Sequence, residues 1–99
     1  MKIIKRDGTI VDYDPEKIRV AISKANEEVS KRDKASKEQI KEIINYIEDL
    51  RKPRLLVEDI QDIIEKKLME FEKYNLAKKY ITYRYTRELV RKANTTDQS

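Results

Sequence analysis

Apolar and polar residues roughly alternate on both sides of Asp7-Gly8 in the opening stretch MKIIKRDGTIVDYDPEKI. Alternation marks a strand with one buried face. Asp-Gly between two such runs is the strongest short-range hairpin signal, because glycine accepts the positive φ that the turn requires. Gly8 is the only glycine in the chain, so its position here is informative. The second run is followed by Asp14-Pro15-Glu16. Asp caps helices, and Pro is favoured at the first helical position, where its missing N–H is not needed. The hairpin is therefore expected to feed directly into a helix N-terminus.

Beyond Pro15 the apolar period lengthens to three or four. Ile18, Ile22, Ala25 and Val29 form one stripe and predict a helix over 15–30. The polar run 30–36 reads as a loop that ends in Ser36-Lys37-Glu38-Gln39, a capping box with Ser36 as cap and Gln39 reaching back. The second helix then runs to about Leu50, with Ile40, Ile43, Ile44 and Ile47 inward, and Pro53 disfavours helical geometry at Lys52. Arg54 to Val57 predicts a short third strand beside the hairpin. A third helix is expected over about 58–74, with Glu58 and Asp59 at its positive end and Ile60, Ile63, Ile64, Leu68 and Phe71 inward. A fourth covers about 76–92. Leu76, Tyr80, Tyr83 and Val90 share one face at heptad-like spacing, Arg87 falls in that face, and Ala77 and Ile81 widen it. Asn94 to Ser99 are polar and aperiodic, a frayed end or the start of a linker. The expected fold is α+β: a four-helix bundle capped by a small β-hairpin or three-stranded sheet.

Composition narrows the functional choices. A chain of 99 residues is one domain at most. Leu, Ile, Val and Phe total 25, enough for a core, though a thin one at this size. Charged residues are 42% of the chain but the net charge is only +4, which fits solvated helix faces carrying both signs. Cysteine and histidine are absent, which removes disulfides, thiolate metal sites, zinc fingers and imidazole-assisted nucleophiles. Paired carboxylates remain, but the acids fall mostly on outward helix faces, so no catalytic residue is assigned. Without an 18-residue apolar run or a signal-peptide pattern, the expectation is a soluble, cytoplasmic protein with no membrane partner.

The charges near the first helix are unusual. Lys5 and Arg6 sit at the turn and Lys17 in the first helical turn, where a cation is disfavoured by roughly 0.3–1 kcal/mol. Such a cluster suggests a missing anion, and a helix N-terminus with free N–H groups is a ready phosphate site. The same cations also read as solvated charges offset by Asp7, Asp14 and Glu16. The fourth helix poses a similar choice, with seven cations between Lys73 and Lys92 against one acid, Glu88. Interleaved with tyrosines, they suit a nucleic-acid surface; equally, they suit a solvated face. Arg87 is expected to face inward, where a guanidinium needs a partner. That partner is either a carboxylate of a neighbouring helix or a ligand phosphate, with Arg84 assisting from one turn earlier.

Lys5-Arg6-Asp7-Gly8, a short strand and Asp14-Pro15-Glu16-Lys17-Ile18 together resemble the opening signature of the ATP-cone, the adenine-nucleotide regulatory domain at the N-terminus of many ribonucleotide reductases. Val57-Glu58-Asp59-Ile60-Gln61 and the stretch from Tyr83-Arg84 to Arg87 are similar to the family's third and fourth helices. The resemblance implies a nucleotide-binding domain over 1–93, with 94–99 as a tail or the start of a linker to a catalytic body. It implies binding of ATP or dATP, with Mg2+ on the phosphates, and allosteric control of a reductase's overall activity. Its partners would be adenine nucleotides, that catalytic body and, through self-association, other copies. By position, Lys5, Arg6, Lys17 and Arg87 match phosphate-contacting cations, with Arg84 beside them, and Ile3, Ile18 and Val57 match positions lining base and sugar. Gln61 stands where some members have a nucleotide-contacting histidine, and Val11 where some have an acid, so the pose and a polar contact differ. The tail is similar to the segment that follows this domain in anaerobic, glycyl-radical ribonucleoside-triphosphate reductases. The bacterial regulator of reductase genes carries a cysteine zinc ribbon before its cone, and this chain has no cysteine. A basic helical nucleic-acid-binding module built on the fourth helix, and a plain helical interaction domain, remain as alternatives.

Overall fold

The alternating opening stretch forms β1 (Lys2–Ile4) and β2 (Ile10–Asp12) in the computed structural model, which describes the backbone of residues 1–97 and the side chains of residues 1–90. Gly8 N–H donates to the Lys5 carbonyl at 2.9 Å, and Lys5 N–H donates to the Thr9 carbonyl at 2.8 Å. Gly8 closes this loop with a φ of 88°, the left-handed residue that a hairpin of this length needs. Ile3 pairs with Val11 across the hairpin and with Leu55 of β3 (Arg54–Leu56) on the other side. The sheet order is β2-β1-β3, with β3 parallel to β1. The expected third strand is thus present. Its parallel direction follows from the helical crossover between β1 and β3.

Four helices carry the core beneath this sheet: α1 (Pro15–Asn26), α2 (Lys37–Asp49), α3 (Val57–Glu70) and α4 (Tyr74–Asp97). Asp14 caps α1, its carboxylate accepting from Glu16 N–H at 3.0 Å, and Pro15 takes the first helical position. The Ser36 capping box is fully made. Ile22, Ile43, Ile47, Ile64, Leu68 and Leu76 are the large side chains buried most completely, and Ile3 and Leu55 join them from the sheet.

Three boundaries differ from expectation, each for a local reason. The first helix ends at Asn26, not Ser30. The Asn26 side chain both donates to the Ala35 carbonyl (3.2 Å) and accepts from Ala35 N–H (3.0 Å), tying down a loop that contains a single 3-10 turn, Lys31–Asp33. The third helix stops at Glu70. Glu72 takes a φ of 62°, its N–H donating to the Met69 carbonyl (2.9 Å) and Lys73 N–H to the Leu68 carbonyl (2.9 Å). That bond pair closes a helix end through a left-handed residue, here without the usual glycine. Finally, α4 starts at Tyr74 and its backbone runs to Asp97, past the expected end at Lys92; the last part of the tail, residues 98–99, lies outside the described residues.

Candidate functional site

The three-residue hairpin loop holds Arg6 against the N-terminal half of α3 and the far half of α4. Each part of its guanidinium meets a different residue. Nε lies 3.4 Å from a Glu58 oxygen, Nη1 forms an ion pair with Glu88, and Nη2 donates to Gln61 Oε1 at 3.2 Å. Gln61 Oε1 also accepts from Arg84 Nη1 at 2.7 Å. Arg84 Nε lies 2.8 Å from Glu65 Oε1. Both of those atoms are buried, yet the N–H is not aimed at the oxygen, so this contact is an ion pair without a directed hydrogen bond. Gln61 thus joins two arginines from opposite ends of the chain.

The other candidate cations stand differently. Lys17 is exposed in the first turn of α1, directly after β2, and Lys5 is half-buried at the end of β1. Among the described residues neither side chain closes an ion pair, although the Lys5 charge adds to the hydrogen bonds from Thr9 that hold the Asp7 carboxyl below its usual range. Arg87 is exposed and has no ion pair among the described residues. The inward orientation expected for it is corrected here. The apolar body under α4 ends near Tyr80, with Tyr83 and Arg84 half-buried, and Tyr85, Leu89 and Val90 are all exposed. The inward arginine is Arg84, and its partners are the internal groups Glu65 and Gln61.

A second expectation changes with the cap. Asp14 already takes Glu16 N–H, the Asp14 carbonyl accepts from Lys17 N–H at 3.2 Å, and Pro15 has no N–H. The start of α1 therefore offers an incoming anion its flanking cations, not open backbone donors. Ile3 and Ile18 lie in the core, and Val57 is half-buried against it at the first position of α3. Glu58, Glu65 and Glu88 were not singled out as site residues from the sequence. A lone acid in an otherwise cationic helix, four residues after Arg84, was the signal available for Glu88. A cleft of about 420 Å3 between α1 and α4, lined by Lys24, Glu28, Lys79 and Thr82 among others, contains none of the candidate residues.

Fold and corner together define a class: a small α+β domain in which an arginine of the strand cap and an arginine of the helical bundle meet at one glutamine. The model of the ATP cone domain family matches residues 1–89, and the chain belongs to that family. Over 110 residues it is 34% identical to the ribonucleoside-diphosphate reductase subunit alpha of Chlamydia trachomatis, covering all of this chain and 10% of the relative. It is 34% identical over 96 residues to the vitamin B12-dependent ribonucleoside-diphosphate reductase of Thermoplasma acidophilum, covering 91% of this chain and 12% of the relative. The anaerobic ribonucleoside-triphosphate reductase of Haemophilus influenzae is 36% identical over 90 residues, covering 90% of this chain and 13% of the relative. The chain thus spans about a tenth of the length of these relatives. Domains of the ATP-cone family generally bind ATP or dATP. Among the described residues no helix is long and apolar enough to cross a membrane.

Proposed function

We propose that residues 1–93 bind ATP or dATP and act as the allosteric domain that sets the overall activity of a ribonucleotide reductase, a role in deoxyribonucleotide synthesis. On this reading residues 94–99 lead toward the catalytic body, and the domain carries no catalytic residue of its own. One observation supports it above the others: within a family that binds adenine nucleotides, Lys5, Lys17 and Arg87 close no ion pair among the described residues. Cations that close no ion pair among the described residues suit a polyphosphate. Ile3, Ile18 and Val57 provide the apolar floor for the base. Arg6, Arg84 and Gln61 complete the set as groups already engaged with one another.

Magnesium fits this reading as a passenger on the phosphates. Among the described residues no group of three or more carboxylates could hold a metal, and Mg2+ commonly keeps its waters and binds through nucleotide phosphates. When bound, it would neutralise phosphate charge, while Lys5, Lys17 and Arg87 orient the chain of phosphates.

Titration calorimetry and thermal unfolding with ATP, dATP and GTP test the reading. At a hundred times Kd the ligand stabilises by about 2.7 kcal/mol, a rise in Tm on the order of ten degrees for a domain of this size. Lys17→Ala should weaken binding about tenfold to a hundredfold, the worth of one charge-assisted contact, with folding intact. An unchanged Tm in millimolar ATP and magnesium would overturn the proposal. Salt-sensitive DNA or RNA binding that survives Lys17→Ala and falls with Lys78→Glu and Lys79→Glu would replace it with the nucleic-acid reading.

A further inference from the structure

Arg6 differs from the other candidate cations in that each of its three side-chain nitrogens already faces a protein group. Its three nitrogens are divided among Glu58, Glu88 and Gln61, which come from α3 and α4. A guanidinium binds phosphate best when two parallel N–H groups reach the same anion, and here each nitrogen is already turned toward one of the protein's own groups, so a phosphate must compete with them. Glu88 also has a particular position. Among residues 85–90 it is the one side chain that is not exposed. The far half of α4 has lost its apolar support by that point and meets the hairpin loop through this ion pair.

We propose that the contact of Glu58 and Glu88 with Arg6 is an autoinhibitory latch: a nucleotide phosphate must displace the carboxylates from Arg6, and doing so frees the far half of α4 from the hairpin. This rests on the nucleotide reading above and deepens it by supplying its regulation. The coupling is reciprocal. Whatever strengthens the Arg6–Glu88 contact weakens nucleotide binding by the same factor, and bound nucleotide weakens the contact. The half-helix so released carries Tyr85, Leu89 and Val90, all exposed, and continues toward residues 94–99, the segment that the nucleotide reading above assigns to the connection with a reductase body.

The test compares the chain with Glu88→Gln, Glu58→Gln and a charge control, Glu42→Gln. Glu42 is an exposed acid on α2, so its replacement changes net charge equally. Titration with ATP and magnesium should show Glu88→Gln binding about threefold to tenfold tighter than the unaltered chain, Glu58→Gln tighter to a smaller degree, and Glu42→Gln within about twofold. Amide hydrogen exchange over residues 85–90 should speed up in Glu88→Gln without any nucleotide, and in the unaltered chain when ATP is added. Unchanged or weaker ATP affinity in Glu88→Gln, an equal gain in Glu42→Gln, or exchange over 85–90 that ATP leaves unchanged or slows would each overturn the latch while nucleotide binding stands. If the exchange rate responds to Glu88→Gln but neither the chain nor any variant binds ATP, the nucleotide reading itself falls, and the latch's regulatory role with it.

Discussion

Nothing lies within 4 Å of where a Cβ would stand on Gly8, so its replacement is a question of backbone alone. At a φ of 88° an L-residue is disfavoured by about 1 kcal/mol or more. Gly8→Val should lower stability by at least that amount and Gly8→Asn by less, since Asn tolerates left-handed geometry; the urea midpoint would report both. Buried phenols give a second residue-scale expectation. Burial pushes the Tyr80 hydroxyl above its ordinary value near ten, and burial together with the Glu48 carboxylate, which accepts from the Tyr13 hydroxyl at 2.9 Å, does the same for Tyr13. A raised folded value means that the folded state keeps its proton longer than the unfolded chain. This contribution is complete below pH 10 and is lost as the pH rises above it. Urea unfolding at pH 8 and pH 11 should show a fall in stability that is smaller in Tyr80→Phe.

At the scale of elements, local chemistry decided what was legible. Helix α2 could be placed to within a residue because its signals are near in sequence: a capping box at Ser36, four isoleucines in phase and Pro53 behind it. Ser36→Ala should therefore lower stability by about 1 kcal/mol, measured as a shift in Tm. The ends of α1 and α3 were not legible, because Asn26 finds Ala35 through a loop, and Glu72 adopts a glycine's conformation without being glycine. That second feature makes Glu72→Gly an expected gain of about 0.5–1 kcal/mol, the left-handed strain relieved less the added freedom of the unfolded chain; a chemical denaturation curve would show it. On α4 a heptad phase correctly placed Leu76 and Tyr80 inward but could not show that the body beneath stops there. For that reason Arg87 came out exposed and Arg84 took the internal acid. Of the candidate site, the cations at Lys5, Arg6 and Lys17 were readable from spacing around one turn and one helix start. The acids that engage Arg6 were not, because pairing across α3, α4 and the hairpin is set by packing and not by sequence separation.

At the scale of the whole molecule, the core is a layer of isoleucine and leucine shared by all four helices, so truncation anywhere in it should be felt globally. Ile22 and Ile64 are fully buried on different helices, and either one changed to Ala should lower unfolding stability by about 2–5 kcal/mol, a large fraction of what a domain of this length holds in reserve. The sheet sharpens the point. Its middle strand is the first one made, with Ile3 in the core, the Met1 carbonyl accepting from Tyr13 N–H at 3.1 Å and Lys2 N–H donating to the Pro53 carbonyl at 2.8 Å. Deleting residues 1–4 would remove the spine of the sheet, not its margin. The Ile10–Asp12 and Arg54–Leu56 strands would then have no common neighbour, and the roof of the domain would come apart for the loss of four residues.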